Sequence, residues 1–161
     1  CKNPQLIEVW DKIMLVGKNY NIKPIGLAAR DTLRLEMGFC LYGNELSDDI
    51  TPIEAGLTWI TKFSKEFNGY NILKEQKENG VKKKLIGFEL IEKGIPRKDY
   101  EIYYEDQVKI GKVTSGTMSP SLGKAIGLGF VDNSYAKTNA TIYINIRNNM
   151  IKAIIIKPPF K

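Results

Sequence analysis

Arginine is the scarce cation of this chain, with 4 Arg against 20 Lys. Where it is used, a planar five-donor fork can be needed that lysine cannot supply. Two of the four, Arg30 and Arg34, stand at i and i+4 in a helical pattern. Like charges at that spacing cost about 0.2–0.5 kcal/mol in an isolated helix. Asp31 can answer Arg34 at i, i+3. Arg30 has no such partner, because its helical neighbours are Gly26, Leu27, Leu33 and Arg34. An unpaired guanidinium on a mostly apolar helix calls for an outside anion or an amide-rich ligand edge. From spacing alone, a solvent-facing arginine or an ion pair with another element is the plainer reading.

Other chemistry is bounded by what is missing. The chain has no histidine, which removes Ser-His-Asp and Cys-His catalysis and every metal site built on imidazole. Its two cysteines, Cys1 and Cys40, form neither a disulfide framework nor a zinc site and suit a reducing compartment. The stretch TSGTMSPSLGK (114–124) invites a phosphate-loop reading, but Met118 and Ala125 occupy positions where a Walker A needs Gly and Ser or Thr. Asp132 stands where a dinucleotide fingerprint starting at Gly127 and Gly129 needs its third glycine. A barrel crossover with tight glycine turns is the expected role of residues 114–123. Phe39, Tyr42 and Trp59 could stack on a flat heterocycle or be ordinary core aromatics. Glu36 and Glu54 could accept hydrogen bonds from a pteridine-type ring, although Glu54 reads better as the acid of a Thr51-Pro52-Ile53-Glu54 capping box.

The elements that must position these groups change character near residue 80. Leu6, Trp10, Ile13 and Met14 share one face of a helix expected over 4–18, with Asn3 and Pro4 as cap and first residue. A second helix is expected over 26–37, with Ile25, Ala29, Leu33 and Met37 facing a core and Gly38 ending it. The capping box predicts a helix start at 51. LTWITKF (57–63) is β-branched and aromatic and predicts a strand, and Asn68 caps a helix over 69–79. From Val81 onward come six short β-type runs: KLIGFELI, YEIYY, VKIGKV, AIGLGFV, ATIYINI and MIKAIIIK, with turn signals between them, among them Glu105-Asp106-Gln107. Strands in series without helices indicate an antiparallel barrel or sandwich.

The whole has 161 residues, 43% apolar and 26% charged, the composition of a soluble globular protein. No apolar run approaches the ~20 residues of a membrane span. The formal charge of +6 is carried by scattered lysines apart from Lys82–Lys84, so mild basicity reads as solubility rather than as a nucleic-acid surface. The chain opens on Cys1 and passes almost at once into an amphipathic helix, which reads as a piece of a longer protein. A processed lipoprotein is the rival, without the polar tether such proteins carry.

GLAARDTLRLEMGFCLYGNEL (26–46) with TPIEAGLTW (51–59) resembles the hallmark region of the glycine cleavage system T-protein family, the aminomethyltransferases. IGKVTSGTMSPSLGKAIGLGFV (110–131) resembles that family's barrel signature, and KPPF (157–160) its close. The resemblance spans nearly the whole chain. It implies an α+β fold: residues 1–80 as the last portion of a partial α/β folate-binding body, and residues 81–161 as a six-stranded antiparallel, Greek-key type β-barrel.

The resemblance further implies transfer of a one-carbon unit from the aminomethyl-lipoyl arm of the H-protein to tetrahydrofolate, with release of ammonia. The aminomethyl adduct can expel ammonia as an iminium forms, which the folate nitrogen captures. Such chemistry asks mainly for orientation and needs no metal. The arginine of the AARD motif, Arg30, resembles a folate contact. The family's key aspartate lies in its N-terminal portion, and a glutamate contact falls just upstream of Cys1. No catalytic residue is therefore expected in residues 1–161, and these residues alone are expected to be inactive.

Within the superfamily, a folate-binding iron–sulfur and tRNA-modification protein is the nearest alternative, but Gly38-Phe39-Cys40-Leu41-Tyr42-Gly43-Asn44-Glu45 lacks the leading lysine and the glutamine of its KGCYxGQE stretch. Folate-dependent demethylating oxidases carry a similar module, and a basic barrel binding nucleic acid through Lys82–Lys84 is the non-enzymatic alternative. The expected partners are lipoylated H-protein and tetrahydrofolate, with no nucleic acid and no membrane. The expected location is a bacterial cytoplasm, or a mitochondrion in a eukaryote.

Overall fold

The computed structural model describes residues 2–105 and 108–161. The readings of Cys1 and of the Asp106-Gln107 turn lie outside the described residues. The chain divides into two compact units, Cys1–Arg30 and Asp31–Lys161.

In the first unit a short 3-10 turn, Asn3–Gln5, leads into α1, Leu6–Gly17. The expected Asn3 cap is not made: Lys2 precedes the turn without a capping side-chain bond, and Pro4 supplies the pre-set φ instead. Gly17 closes α1 because the chain folds back on it. A Cβ there would lie 2.5 Å from Ile22 Cγ2, and Asn21 takes the left-handed conformation that makes this return. None of α1 is buried.

α2, Leu27–Glu36, runs across the boundary between the units. Its end is a Schellman motif: Gly38 N–H donates to Leu35 O at 2.8 Å and Phe39 N–H to Arg34 O at 2.8 Å. Gly38 has φ +70°, and a Cβ there would meet Pro158 at 2.3 Å, so the KPPF tail packs against this turn. The expected core face of α2 is overturned, since Ile25, Leu33 and Met37 are exposed while the consecutive Arg34, Leu35 and Glu36 are buried. The helix is buried at its end rather than along a stripe.

The Thr51 capping box forms as read. Thr51 N–H donates to Glu54 Oε2 at 2.9 Å and Glu54 N–H to Thr51 Oγ1 at 3.2 Å. The helix it should start stops after one turn, at Gly56 with φ +73°. LTWITKF is not a strand. Its backbone is spent on local turns, such as Ile60 N–H to Leu57 O at 3.2 Å, and β-propensity without a partner strand builds nothing. α3, Tyr70–Asn79, starts at Gly69 rather than at an Asn68 cap and ends at Gly80.

Six strands then close a barrel: β1 Lys83–Leu90, β2 Glu101–Tyr104, β3 Val108–Ser119, β4 Lys124–Asp132, β5 Thr141–Ile146 and β6 Asn149–Ile156. Their order is β1-β4-β3-β2-β5-β6, all antiparallel, with β6 pairing back to β1. Strands β2, β3 and β4 are hairpin neighbours and β1 returns beside β4, which is Greek-key connectivity. The interior is filled by Phe88, Ile102, Ile110, Val113, Ile142, Ile144 and Ile155 with their neighbours.

β4 explains its own sequence, AIGLGFV. Alternate residues face in and out. Gly127 stands in register with Phe88, and a Cβ on it would lie 2.4 Å from the Phe88 ring; one on Gly129 would lie 2.7 Å from Ile102 Cδ1. The two glycines make room for inner side chains, while Ile126 and Leu128 face outward under Leu35. β3 corrects the expected loop at 114–123: it runs through Ser119, leaving only residues 120–123 as the turn.

Candidate functional site

Arg34 and Arg30 meet opposite fates one helical turn apart. Arg34 is 8% exposed and fully engaged. Its Nε donates to Asp31 Oδ1 at 2.8 Å, as the i, i+3 spacing predicts. Nη1 donates to Glu45 Oε2 at 2.7 Å and Phe39 O at 3.1 Å, and Nη2 to Ser115 Oγ at 2.7 Å.

Glu45 is wholly buried. Besides Arg34 it accepts from Leu41 N–H at 3.0 Å, from Thr114 Oγ1 at 2.6 Å and from Ser115 Oγ at 2.5 Å. Two consecutive strand residues can reach one carboxylate only because β3 has a bulge between Val113 and Ser115. A regular strand would send them to opposite faces. Asn44 Nδ2 adds a bond to Ser115 Oγ at 3.1 Å, and Lys98 Nζ reaches Asn44 Oδ1 at 3.0 Å.

Glu36 closes a second link to the same outer face of β3. Ser119 donates to its Oε1 at 2.5 Å and Ser121 to its Oε2 at 3.0 Å. The Ser119 hydroxyl holds this carboxyl below its ordinary range against the opposing cost of burial, and Ser121 helps. Glu36 is thus an internal acceptor with both oxygens used, not a free ligand for a heterocycle. Cys40 is half-buried, and its thiol is pushed up first by burial and then by the Glu45 charge, which disfavours the thiolate.

Arg30 is exposed, and its side chain makes no hydrogen bond or ion pair among the described residues. Phe39, Tyr42 and Trp59 are exposed as well, Trp59 at 72%, which removes the core reading of these aromatics. Among the described residues, no group of three His, Cys, Asp or Glu is arranged to hold a metal ion. No helix there is long and apolar enough to cross a membrane. Glu45, Thr114 and Ser115 were not legible as one cluster. The available signal was that a buried arginine requires a carboxylate, and nothing in the sequence ranks Glu45 above the other acids.

Fold and site together define an α+β protein with a closed Greek-key barrel, whose buried polar links are structural and whose Arg30 fork is left open. The glycine cleavage T-protein C-terminal barrel domain matches residues 83–161, and the GCVT N-terminal domain matches residues 1–65. An aminomethyltransferase of Flavobacterium psychrophilum is 55% identical over 159 residues, covering 99% of this chain and 44% of that protein. One from Bacillus cytotoxicus is 50% identical over 162 residues, covering 99% and 44%. A crystal structure of the glycine cleavage system aminomethyltransferase T from Bartonella henselae superposes with a TM-score of 0.85 at 28% identity, over 96% of this chain and 43% of that one.

The chain belongs to the glycine cleavage T-protein family, and it spans about 44% of the length of the curated relatives it matches.

Proposed function

We propose that the protein containing this chain is an aminomethyltransferase that moves the one-carbon unit from the aminomethyl-lipoyl arm of H-protein to tetrahydrofolate, releasing ammonia. The observation that carries this reading is the 55% identity, over 99% of the chain, to a protein named aminomethyltransferase. The open Arg30 guanidinium supports it. Tetrahydrofolate offers an amide-rich pterin and an anionic glutamyl tail, and a charge-assisted fork suits either.

In this reading Arg30 binds and orients the folate rather than transferring a proton. Residues 1–80 belong to the folate-binding body, and residues 81–161 are the barrel that packs on it. The setting is a bacterial cytoplasm. The chemistry requires neither a metal nor an imidazole.

The test uses the protein with its upstream portion, supplied with aminomethylated H-protein and tetrahydrofolate, and follows methylenetetrahydrofolate. Arg30→Lys and Arg30→Ala are expected to raise the KM for tetrahydrofolate about 10-fold or more, the loss of one charge-assisted contact, with the KM for H-protein unchanged. Equal folate KM in wild type and Arg30→Ala removes Arg30 from the site. Absence of transfer by the wild-type protein overturns the function.

A further inference from the structure

The chain's other two arginines, Arg97 and Arg147, converge on one cavity in the Asp31–Lys161 unit. It has a volume of about 430 Å³ and is lined by the apolar Ile95, Met118 and Ile146 and by the cations Lys93, Arg97 and Arg147. The size falls within the roughly 300–1,000 Å³ of small-molecule sites.

The walls are fixed. The segment carrying Lys93, Ile95 and Arg97 is anchored by Pro96, which is fully buried. Gly116 of β3 lets it approach: a Cβ there would lie 2.5 Å from the Pro96 carbonyl oxygen. Gly94 likewise admits Ile146, whose Cδ1 would lie 3.0 Å from an added Cβ. Arg147 is held in the β5–β6 turn at φ +51°.

The charges of this cavity are unspent. Arg97 Nη1 makes one long bond to Gly116 O at 3.4 Å, and Lys93 and Arg147 make no side-chain hydrogen bond or ion pair among the described residues. Among the described residues, no acidic one lines the cavity. Of the acids beside lining residues in sequence, Glu92 accepts from Lys152 N–H at 3.0 Å, Glu101 accepts from Tyr103 Oη at 2.8 Å, and Asp99, two residues from Arg97, makes no ion pair with it. Planar forks match a carboxylate through two parallel bonds. Ile95, Met118 and Ile146 form a wall that suits a hydrocarbon body, with Lys93 and Tyr100 completing the lining beside the two forks.

We infer that this cavity binds a small organic carboxylate, its apolar body against Ile95, Met118 and Ile146 and its anionic head on Arg97 and Arg147. The site is independent of Arg30 and of the folate reading.

The test is carbon-13 methyl NMR of the 161-residue chain, observing methionine ε and isoleucine δ1 methyls during titration with 3-phenylpropionate. The neutral 3-phenyl-1-propanol serves as its twin. Saturable shifts are expected at Met118, Ile95 and Ile146, with the alcohol at least about 10-fold weaker. The double variant Arg97→Gln, Arg147→Gln is expected to lose binding about 10-fold or more, while the interior methyls of Ile102 and Ile144 keep their positions and so report an intact barrel. The proposal is overturned by the absence of saturation up to about 10 mM carboxylate, by equal binding of the alcohol, or by unchanged affinity in the double variant. Displacement of the carboxylate by lower concentrations of pyrophosphate also overturns it, in favour of a polyphosphate site.

Discussion

In β4, Ala125 and Val131 on the inner face and Ile126 and Leu128 on the outer face are all buried; in α1, Leu6, Ile7, Trp10, Ile13, Leu15 and Val16 are all more than half exposed. The two segments carry similar apolar content, and the difference lies in what each is given to pack against. β4 has Phe88 and Ile102 on one side and Leu35 on the other. Within its own unit, α1 has its backbone ladder, the exposed Lys12–Glu8 pair at 2.6 Å and the return of Ile22 onto Gly17. An exposed helix of this length is marginal in water. Within the Asp31–Lys161 unit, stability resides in the barrel and the end of α2, whereas the apolar face of α1 has no core within its own unit.

Substitutions test this contrast most sharply in the barrel. Phe88→Ala is expected to cost about 3–5 kcal/mol, and Ile7→Ala in α1 about 0.5 kcal/mol or less, both read from urea midpoints of the 161-residue chain. Equal losses would place α1 in a core. The same contrast recurs along α2. Arg34→Ala strands Glu45 without its cation and is expected to cost about 3–5 kcal/mol, whereas Arg30→Ala is expected to change stability by about 0.5 kcal/mol or less. A large loss from Arg30→Ala would reveal an internal partner.

Glu36 gives a smaller, pH-dependent effect. Its folded pKa is depressed below the ordinary 4.5. Its contribution is thus fully present above the unfolded pKa and is lost as pH falls through the folded one. Acid unfolding from about pH 4.5 downward is expected to be steeper in the wild type than in Glu36→Gln, followed by circular dichroism. Parallel curves would detach Glu36 from the link to β3.

The finest test is amide hydrogen exchange. Barrel strands should exchange only through global opening, and α1 through local fraying at close to zero cost. Slow exchange in α1 would break the comparison.

How legible these features were depended on whether the causes were local. All six strands followed from runs of β-formers separated by turn residues. The Thr51–Glu54 box followed from four residues. Arg34 with Asp31 followed from helical spacing, as did the absence of a helical partner for Arg30. Failures came where a distant segment decides the outcome. TSGTMS looks like a loop because its polar residues are strand residues, and Ser115 and Ser119 serve carboxylates brought from α2 and its following turn. The face of α2 was misjudged because the helix is buried end-on against β4. LTWITKF had strand composition but no neighbour to pair with. Arg30 itself was legible as unpaired, while what it binds rested on the family resemblance.

Phe88 and Gly127 occupy a single shared volume inside the barrel. Their sizes are consequently not independent choices, and across related sequences the two positions are expected to co-vary, with a methyl at one allowed only when the ring at the other shrinks. In this chain, Gly127→Ala should be tolerated far better alongside Phe88→Leu than alone, a rescue that neither substitution forecasts by itself.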